Sequence, residues 1–433
     1  MARNMLKLFS FLQTVLWFPL VRLIVAYYSE RQRFRTYNQE PVVHFQKDYA
    51  GEKILLLALY QKGRLRPDVV RMLKVAKAQG LYVLASNTLK LSDPKQFDTL
   101  IDCYIERPNF GRDFGSYQTA FLHLYARDWH TQAPRLMLLN DSVFFTQERL
   151  GSFFSDMMDS DIEVLGSTEN FDIEYHLGSF CIAMDRSILA HKNMQAYWKR
   201  YRLSDLRPKV IKRGEMQLSK MLKACVSSPD QFVALYSGVR YADELSSDPE
   251  LLDFSIKNVR TSTINPWKRA SLKNVVSSAF TRHFVRIKDV MDGKDTMKLY
   301  STRSHKDIAD DALHYVGSVE SLRTFLRSLS KEDTAGHIPD EDLNMMILKE
   351  YSDAFFIGSH IHQNPIVLLK QGLPIVKNDG VYRGLVSIED LYKMSALLEV
   401  EEAQEMRKLL LDRPYGANHL TGWKKAAFNL GYL

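Results

Sequence analysis

Residues 53–87 read KILLLALYQKGRLRPDVVRMLKVAKAQGLYVLASN. The run ILLLAL is unbroken by polar residues, as expected of a strand buried on both faces. RPDVVRMLKVAKAQG then places apolar residues at helical spacing and stops at Gly80, a natural helix C-terminal residue. LYVLASN is a second buried run, ending in Asn87. Strand, helix and strand in this order predict a parallel pair joined by a crossover helix.

The alternation continues. FDTLIDCYIER contains a third strand and YQTAFLHLYARDW reads as a helix. RLMLLNDSVFF is a strand running into a polar turn, and IEVLGSTEN and GSFCIAMD are two more strands. The expected class is α/β, with a mostly parallel sheet carrying helices on both faces over residues 50–240. A mainly helical region is expected at 241–433. Within it, YADELSSDPELLDF and NVRTSTINPWKRASLKN read as polar and irregular. VSSAFTRHFVRIKDVM and SIEDLYKMSALLEVEEAQEMRKLLLD are helically periodic, and NPIVLLKQGLPIVKNDG interrupts them with turn residues and Lys377.

Open α/β sheets bind ligands at the carboxyl ends of their strands. The polar residues expected at that edge are Asn87, Asn109, Arg112, Asp113, Asn140, Asp141, Ser142, Thr168 and Glu169. NFGRDFGSY, residues 109–117, contains an Asp-Phe-Gly. No Gly-rich loop, strand lysine or His-Arg-Asp precedes it, so a protein kinase is excluded. Gly111 and Gly115 permit close backbone approach, and Arg112 offers a planar fork to phosphate or carboxylate. Asp113 orients that arginine or accepts from a sugar hydroxyl; a tight structural turn with an Arg–Asp pair is the other reading. Asn140-Asp141-Ser142 reads either as an Asx-turn or as a site where Asp141 contacts a divalent cation carried by a diphosphate. Glu215, in GEMQLSKML, is either a helix-capping carboxylate or a general base.

The chain has 433 residues, 45% hydrophobic and 25% charged, with a net charge of +7. That is ordinary globular composition with room for two to three domains. Its basic residues do not gather in one run, which disfavours nucleic acid and leaves an anionic membrane or a phosphorylated substrate. Cys103, Cys181 and Cys225 form neither a metal pair nor a disulfide framework, as expected in a reducing cytosol. MLKLFSFLQTVLWFPLVRLIVAYY, residues 5–28, contains Lys7, Pro19 and Arg22 and is followed by Arg31, Arg33 and Arg35. This is too charged for a comfortable span. Residues 1–35 are expected to form an amphipathic helix lying on a membrane surface, a buried packing helix being the other reading.

Taken together, LLLALYQKGRLRPDVVRML with VLASN, then NFGRDFGSY, NDSVF at 140–144, HLGSF at 176–180 and NPIVLLKQGLPIVK resemble the rhamnan synthesis protein F family. The resemblance runs from about Lys53 to Lys377. It implies a GT-A-like glycosyltransferase of bacterial cell-surface polysaccharide synthesis. By that resemblance the nucleotide-sugar donor is held by Asn87, Asn109, Gly111, Arg112, Asp113, Gly115, Asn140, Asp141 and Ser142. Asp141 becomes the counterpart of the usual Asp-x-Asp, contacting the diphosphate and its Mg²⁺ or Mn²⁺. Glu215 falls where related enzymes place the base, with His176 as second candidate. The implied reaction is inverting transfer from a nucleotide diphosphate sugar, dTDP-L-rhamnose by the family name, to a lipid-linked or cell-surface polysaccharide acceptor. The enzyme would sit peripherally on the cytoplasmic face of the inner membrane. The single acid in Asn140-Asp141-Ser142 keeps a second class in view, a non-catalytic polysaccharide-assembly or binding protein with a degenerate glycosyltransferase fold. The chain departs from the family pattern at Gly178, usually larger, at Ile366, usually His or Thr, and near Leu59-Tyr60, where many members carry a histidine.

Overall fold

The structure is a computed structural model that describes residues 16–259 and 340–433. VSSAFTRHFVRIKDVM, nearly all of NVRTSTINPWKRASLKN and the first 15 residues lie outside the described residues.

The main sheet contains β1 (Val42–Gln46), β2 (Ile54–Leu59), β3 (Tyr82–Asn87), β4 (Cys103–Glu106) and β5 (Arg135–Asn140). It also takes in β7 (Val164–Asn170), β8 (His176–Leu177), β9 (Cys181–Asp185) and β10 (Phe232–Tyr236). Its order is β1-β4-β3-β2-β5-β9-β7-β10, with β8 beside β7. A small second sheet pairs β6 (Val143–Phe145) antiparallel with β11 (Ile375–Lys377).

The unbroken apolar runs are explained by burial on two sides. Leu55, Leu57 and Leu59 of β2 enter one core, while Ile54, Leu56 and Ala58 enter the other. Met137 and Leu139 of β5 divide from Leu136 and Leu138 in the same way. Successive side chains of a strand point to opposite faces, so a sheet covered on both sides needs no polar residue in either register.

Helices cover both faces. α1 (Phe18–Thr36), α2 (Pro67–Ala78), α3 (Arg112–Tyr125), α4 (Leu150–Met158), α5 (Lys192–Arg200) and α6 (Gln217–Lys223) belong to the first part of the chain. α7 (Gly238–Ser247), α8 (Pro249–Asn258), α9 (Asp340–Ala354), α10 (Pro365–Lys370), α11 (Ile388–Ser395), α12 (Val400–Leu410) and α13 (Gly422–Asn429) follow. The described C-terminal part is mainly helical. It packs into the same core as β2, through Tyr241, Ile256, Tyr351, Phe355 and Val367.

Three expectations are corrected. The strands β4, β3, β2 and β5 are mutually parallel, and β10 is parallel to β7. However, β9 runs antiparallel to both β5 and β7, and β1 antiparallel to β4. The link from β7 to β9 contains no helix, and a short link cannot make the long crossover that parallel neighbours require. YADELSSDPELLDF is not irregular but lies in α7 and α8. Ser237, just before the stretch, accepts from the Arg240 amide and caps α7, and Asp248 within it accepts from the Glu250 and Leu251 amides and caps α8. Finally, Glu215 is not at a helix start. It sits in a π-helical stretch, Ile211–Met216, continuous with helix beginning at Arg207. A capping role is therefore lost, and Glu215 sits on a widened turn. Such bulges recur at functional sites.

Candidate functional site

The carboxyl ends of the parallel strands open into a cleft of about 1180 Å³. Its walls come from the β2–α2 loop, the start of α3, the turn after β5, the segment around Arg207 to Glu215, and residues 362–383.

The turn after β5 is heavily bonded. The Asp141 carboxylate accepts from the Tyr60 amide at 2.8 Å and, through the same oxygen, from the Gln61 side chain. Its main-chain carbonyl accepts from Arg66 at 3.0 Å and Asn378 at 3.1 Å. Asn140 accepts from the Ser142 hydroxyl at 2.6 Å and donates to Asp113 at 3.2 Å. Ser142 in turn accepts from the Lys377 ammonium at 3.0 Å. Burial pushes the Asp141 carboxyl up to about 6, against the pull of Arg66, Gln61 and the Tyr60 amide.

The turn before α3 is tight. Gly111 has φ +93° and donates its amide to Asp205 at 2.7 Å. Arg112 follows at φ +50°, and its guanidinium donates to the Asp205 carbonyl at 2.9 Å. A Cβ on Gly115 would stand 2.6 Å from both the Arg107 guanidinium and the Phe110 carbonyl. Asp113 reaches the cleft wall, its carboxyl raised by burial against Lys377, Arg107 and Arg112.

Opposite stands an ion pair. Glu215 lines the cleft, and its carboxylate lies 3.8 Å from Nε2 of His176. His176 is buried, and its Nδ1–H donates to the Glu174 carbonyl at 2.8 Å, which leaves Nε2 facing Glu215. Burial alone would lower the His176 pKa, but the Glu215 carboxylate and the Glu174 carbonyl raise it above its ordinary value. Burial would likewise raise Glu215, yet His176, Lys377 and Arg207 hold it below the ordinary carboxylate value.

The structure thus brings Asn109, Arg112, Asp113, Asp141, Ser142 and Glu215 to the cleft surface. Asn87, Gly111, Gly115, Asn140 and His176 stand behind it. Asn87 is consumed as a clamp, donating to the Gln61 carbonyl and the Tyr104 hydroxyl at 2.9 Å each. Thr168 and Glu169 are buried; Glu169 accepts from the Gly238 amide and is pushed up by burial.

Sequence reasoning missed most of the positive charge. Arg207, Lys377 and Arg383 all line the cleft. Arg207 feels Arg383 and Arg112 as repelling neighbours and Asp379 and Glu215 as attracting ones, so three arginines share one wall. Lys377 lies 4.5 Å above the Phe180 ring, and burial lowers its pKa despite Asp379, Asp113 and Glu215. Asp379 pairs with Arg383 and lies 3.5 Å from His362; burial would raise it, but the His362 hydrogen bond, Arg383 and Lys377 hold it well below the carboxylate range. A basic residue beside Asn-Asp-Gly in NPIVLLKQGLPIVKNDG was the only sequence signal.

A divalent cation carried by a diphosphate would rest on Asp141, with the phosphates completing its shell. Among the described residues no group of three or more His, Cys, Asp or Glu is arranged to hold one. Asp141 spends one oxygen on two donors and has Arg66 for a neighbour.

The relatives agree in part. No solved structure matches the chain. It is 25% identical over 171 residues to the uncharacterized protein y4gN of Sinorhizobium fredii, covering 38% of this chain and 44% of that protein. It is 31% identical over 80 residues to virulence protein VirA of Vibrio anguillarum, covering 18% of this chain and 24% of that protein. The chain therefore spans less than half the length of these curated relatives. Residues 81–226, from β3 through the Gly111 turn and Asp141 to the helix carrying Glu215, match the family model of rhamnan synthesis protein F.

Proposed function

We propose that this protein is an inverting glycosyltransferase of polysaccharide synthesis that uses a nucleotide diphosphate sugar. One observation carries the reading. Glu215, paired with His176, faces the same cleft as Lys377 and the arginine wall of Arg112, Arg207 and Arg383. A base and an anion site in one crevice, at the strand ends of an α/β sheet, suit transfer with a diphosphate leaving group. The family match at residues 81–226 supports polysaccharide synthesis as the setting.

In this reading the donor diphosphate lies against the cationic wall. The acceptor hydroxyl oxygen bonds to the anomeric carbon, and the bond from that carbon to the diphosphate breaks with its electron pair on the diphosphate. The proton passes to Glu215, and His176 balances the carboxylate until it does. Attack opposite the leaving group inverts the anomeric centre. Because Arg and Lys side chains supply the counter-charge, no step is routed through Mg²⁺ or Mn²⁺. The GT-A-like assignment, and L-rhamnose as the transferred sugar, belong to the same proposal and rest on the family resemblance.

The test is a panel of nucleotide sugars with a glycolipid extract, following release of nucleoside diphosphate with and without EDTA. Acceptor-dependent release from one donor is expected, and it should survive EDTA. Donor binding without turnover by folded protein would favour the non-catalytic polysaccharide-binding class instead.

A further inference from the structure

The N-terminal helix α1 has two unlike faces. Val21, Val25 and Ser29 are buried, and the two valines pack with Leu206 and Ala427. Tyr28 stacks on Trp423 of α13, with ring centroids 5.4 Å apart and planes 7° apart. The opposite face is uncovered among the described residues. Leu20, Leu23, Tyr27 and Phe34 fall at i, i+3, i+7 and i+14, one stripe of a helix with 3.6 residues per turn. All four are exposed, Leu23 at 69% and Phe34 at 85%. Arg22, Arg31 and Arg35 are exposed beside it; Arg33 is exposed too and pairs with Glu30 at 3.1 Å.

A monomeric soluble surface rarely leaves such a stripe uncovered. No described helix is long and apolar enough to cross a membrane. An apolar stripe flanked by arginines complements an anionic bilayer, whose acyl region receives the stripe and whose phosphates receive the guanidinium groups. We infer that this face of α1 docks the protein on an anionic lipid surface.

The placement of α1 gives the inference its use. Gln32 of α1 donates to the Asn109 carbonyl at 3.0 Å, and Asn109 lies on the cleft rim. Leu206, packed under α1, immediately precedes the cleft residue Arg207. Docking through α1 therefore holds the cleft at the lipid surface, within reach of a membrane-borne acceptor. The docking face itself does not depend on the catalytic reading.

Flotation of the full chain with vesicles tests it without any activity measurement. Phosphatidylcholine vesicles with and without phosphatidylglycerol are compared for the unaltered protein and for a Leu20→Glu, Leu23→Glu double variant. The unaltered protein is expected to float with the anionic vesicles and much less with the neutral ones. The double variant should lose about tenfold or more of that partition. Both leucines are exposed, so its melting curve should be unchanged. Failure of the unaltered protein to float, or equal flotation of a folded double variant, would overturn the proposal. So would a dimer that the double variant splits with no change in flotation, because a second copy would then be the occupant.

Discussion

Glu215 can act as a base only if its charge is tolerated in the cleft, and His176 supplies much of that tolerance. Replacing Glu215 with Gln keeps the shape and removes the proton acceptor. We expect kcat to fall by about 10²- to 10⁴-fold with donor affinity nearly unchanged, read from nucleoside diphosphate release. A loss in affinity alone would reassign Glu215 to donor contact. The pair also has a pH signature. The His176 pKa is raised above 6.5, so its contribution to stability is complete below 6.5 and is lost as pH rises through the raised value. A His176→Gln variant should lack this decline, seen as a flatter melting temperature against pH on the alkaline side of 6.5. Asp141 behaves in the same direction for another reason. Its carboxyl, raised by burial from 3.8 to about 6, favours the folded state at low pH, and that contribution fades as pH rises across this window. Asp141→Asn should remove a slope worth about 3 kcal/mol between those limits, and denaturant titrations at pH 4 and pH 7 measure it.

At the scale of elements, the turn leading into α3 is the least forgiving. The Phe110 carbonyl near Gly115 is backbone and cannot swing aside, unlike a flexible side chain. Gly115→Ala should cost about 1–3 kcal/mol, read as a lowered melting temperature. Gly178 has a related logic. A Cβ there would meet the Phe180 ring at 2.6 Å, and that ring underlies Lys377. The departure from the family pattern at this position therefore leaves room for a platform beneath a cleft cation. A second departure, Ile366, is buried in a third apolar cluster away from the cleft wall. Much of this level was legible in the sequence. The unbroken apolar character of β2 and β3 comes from burial on both faces, and Gly80 does follow α2 with φ +70°. The antiparallel β9 was not legible, because strand direction is written in the link and not in the strand. Helices α7 and α8 were missed because their caps and solvent faces make them look like loop. Glu215 was placed in a helix, but a π-helical turn has no composition of its own.

The whole molecule assembles its cleft from distant parts of the chain. Asp141 and Glu215 lie within the stretch that matches the family model, whereas Lys377, Asp379 and Arg383 arrive from far downstream. No periodicity joins these segments; they meet because β11 pairs with β6, Lys377 standing opposite Val143. The Asn378 amide then donates to the Ser142 carbonyl at 3.1 Å, so the acidic turn and the cationic segment are one hydrogen-bonded unit. Ligand binding on either segment must therefore be felt by the other. Hydrogen exchange in the presence of a bound nucleotide diphosphate should slow at residues 142–145 and at 375–379 together, since opening either strand breaks the same ladder. Protection confined to residues 142–145 would place the diphosphate away from Lys377. Charge reinforces the coupling. Lys377 is the cation that Asp113, Glu215 and Asp379 share, so Lys377→Met would strip the diphosphate of a partner while Arg383 stays beside Asp379 and His176 beside Glu215. Donor binding in that variant should weaken by about tenfold or more, measured by calorimetry, because a charge-assisted hydrogen bond to phosphate is lost. Binding that survives unchanged would move the anion site to Arg112, Arg207 and Arg383 alone.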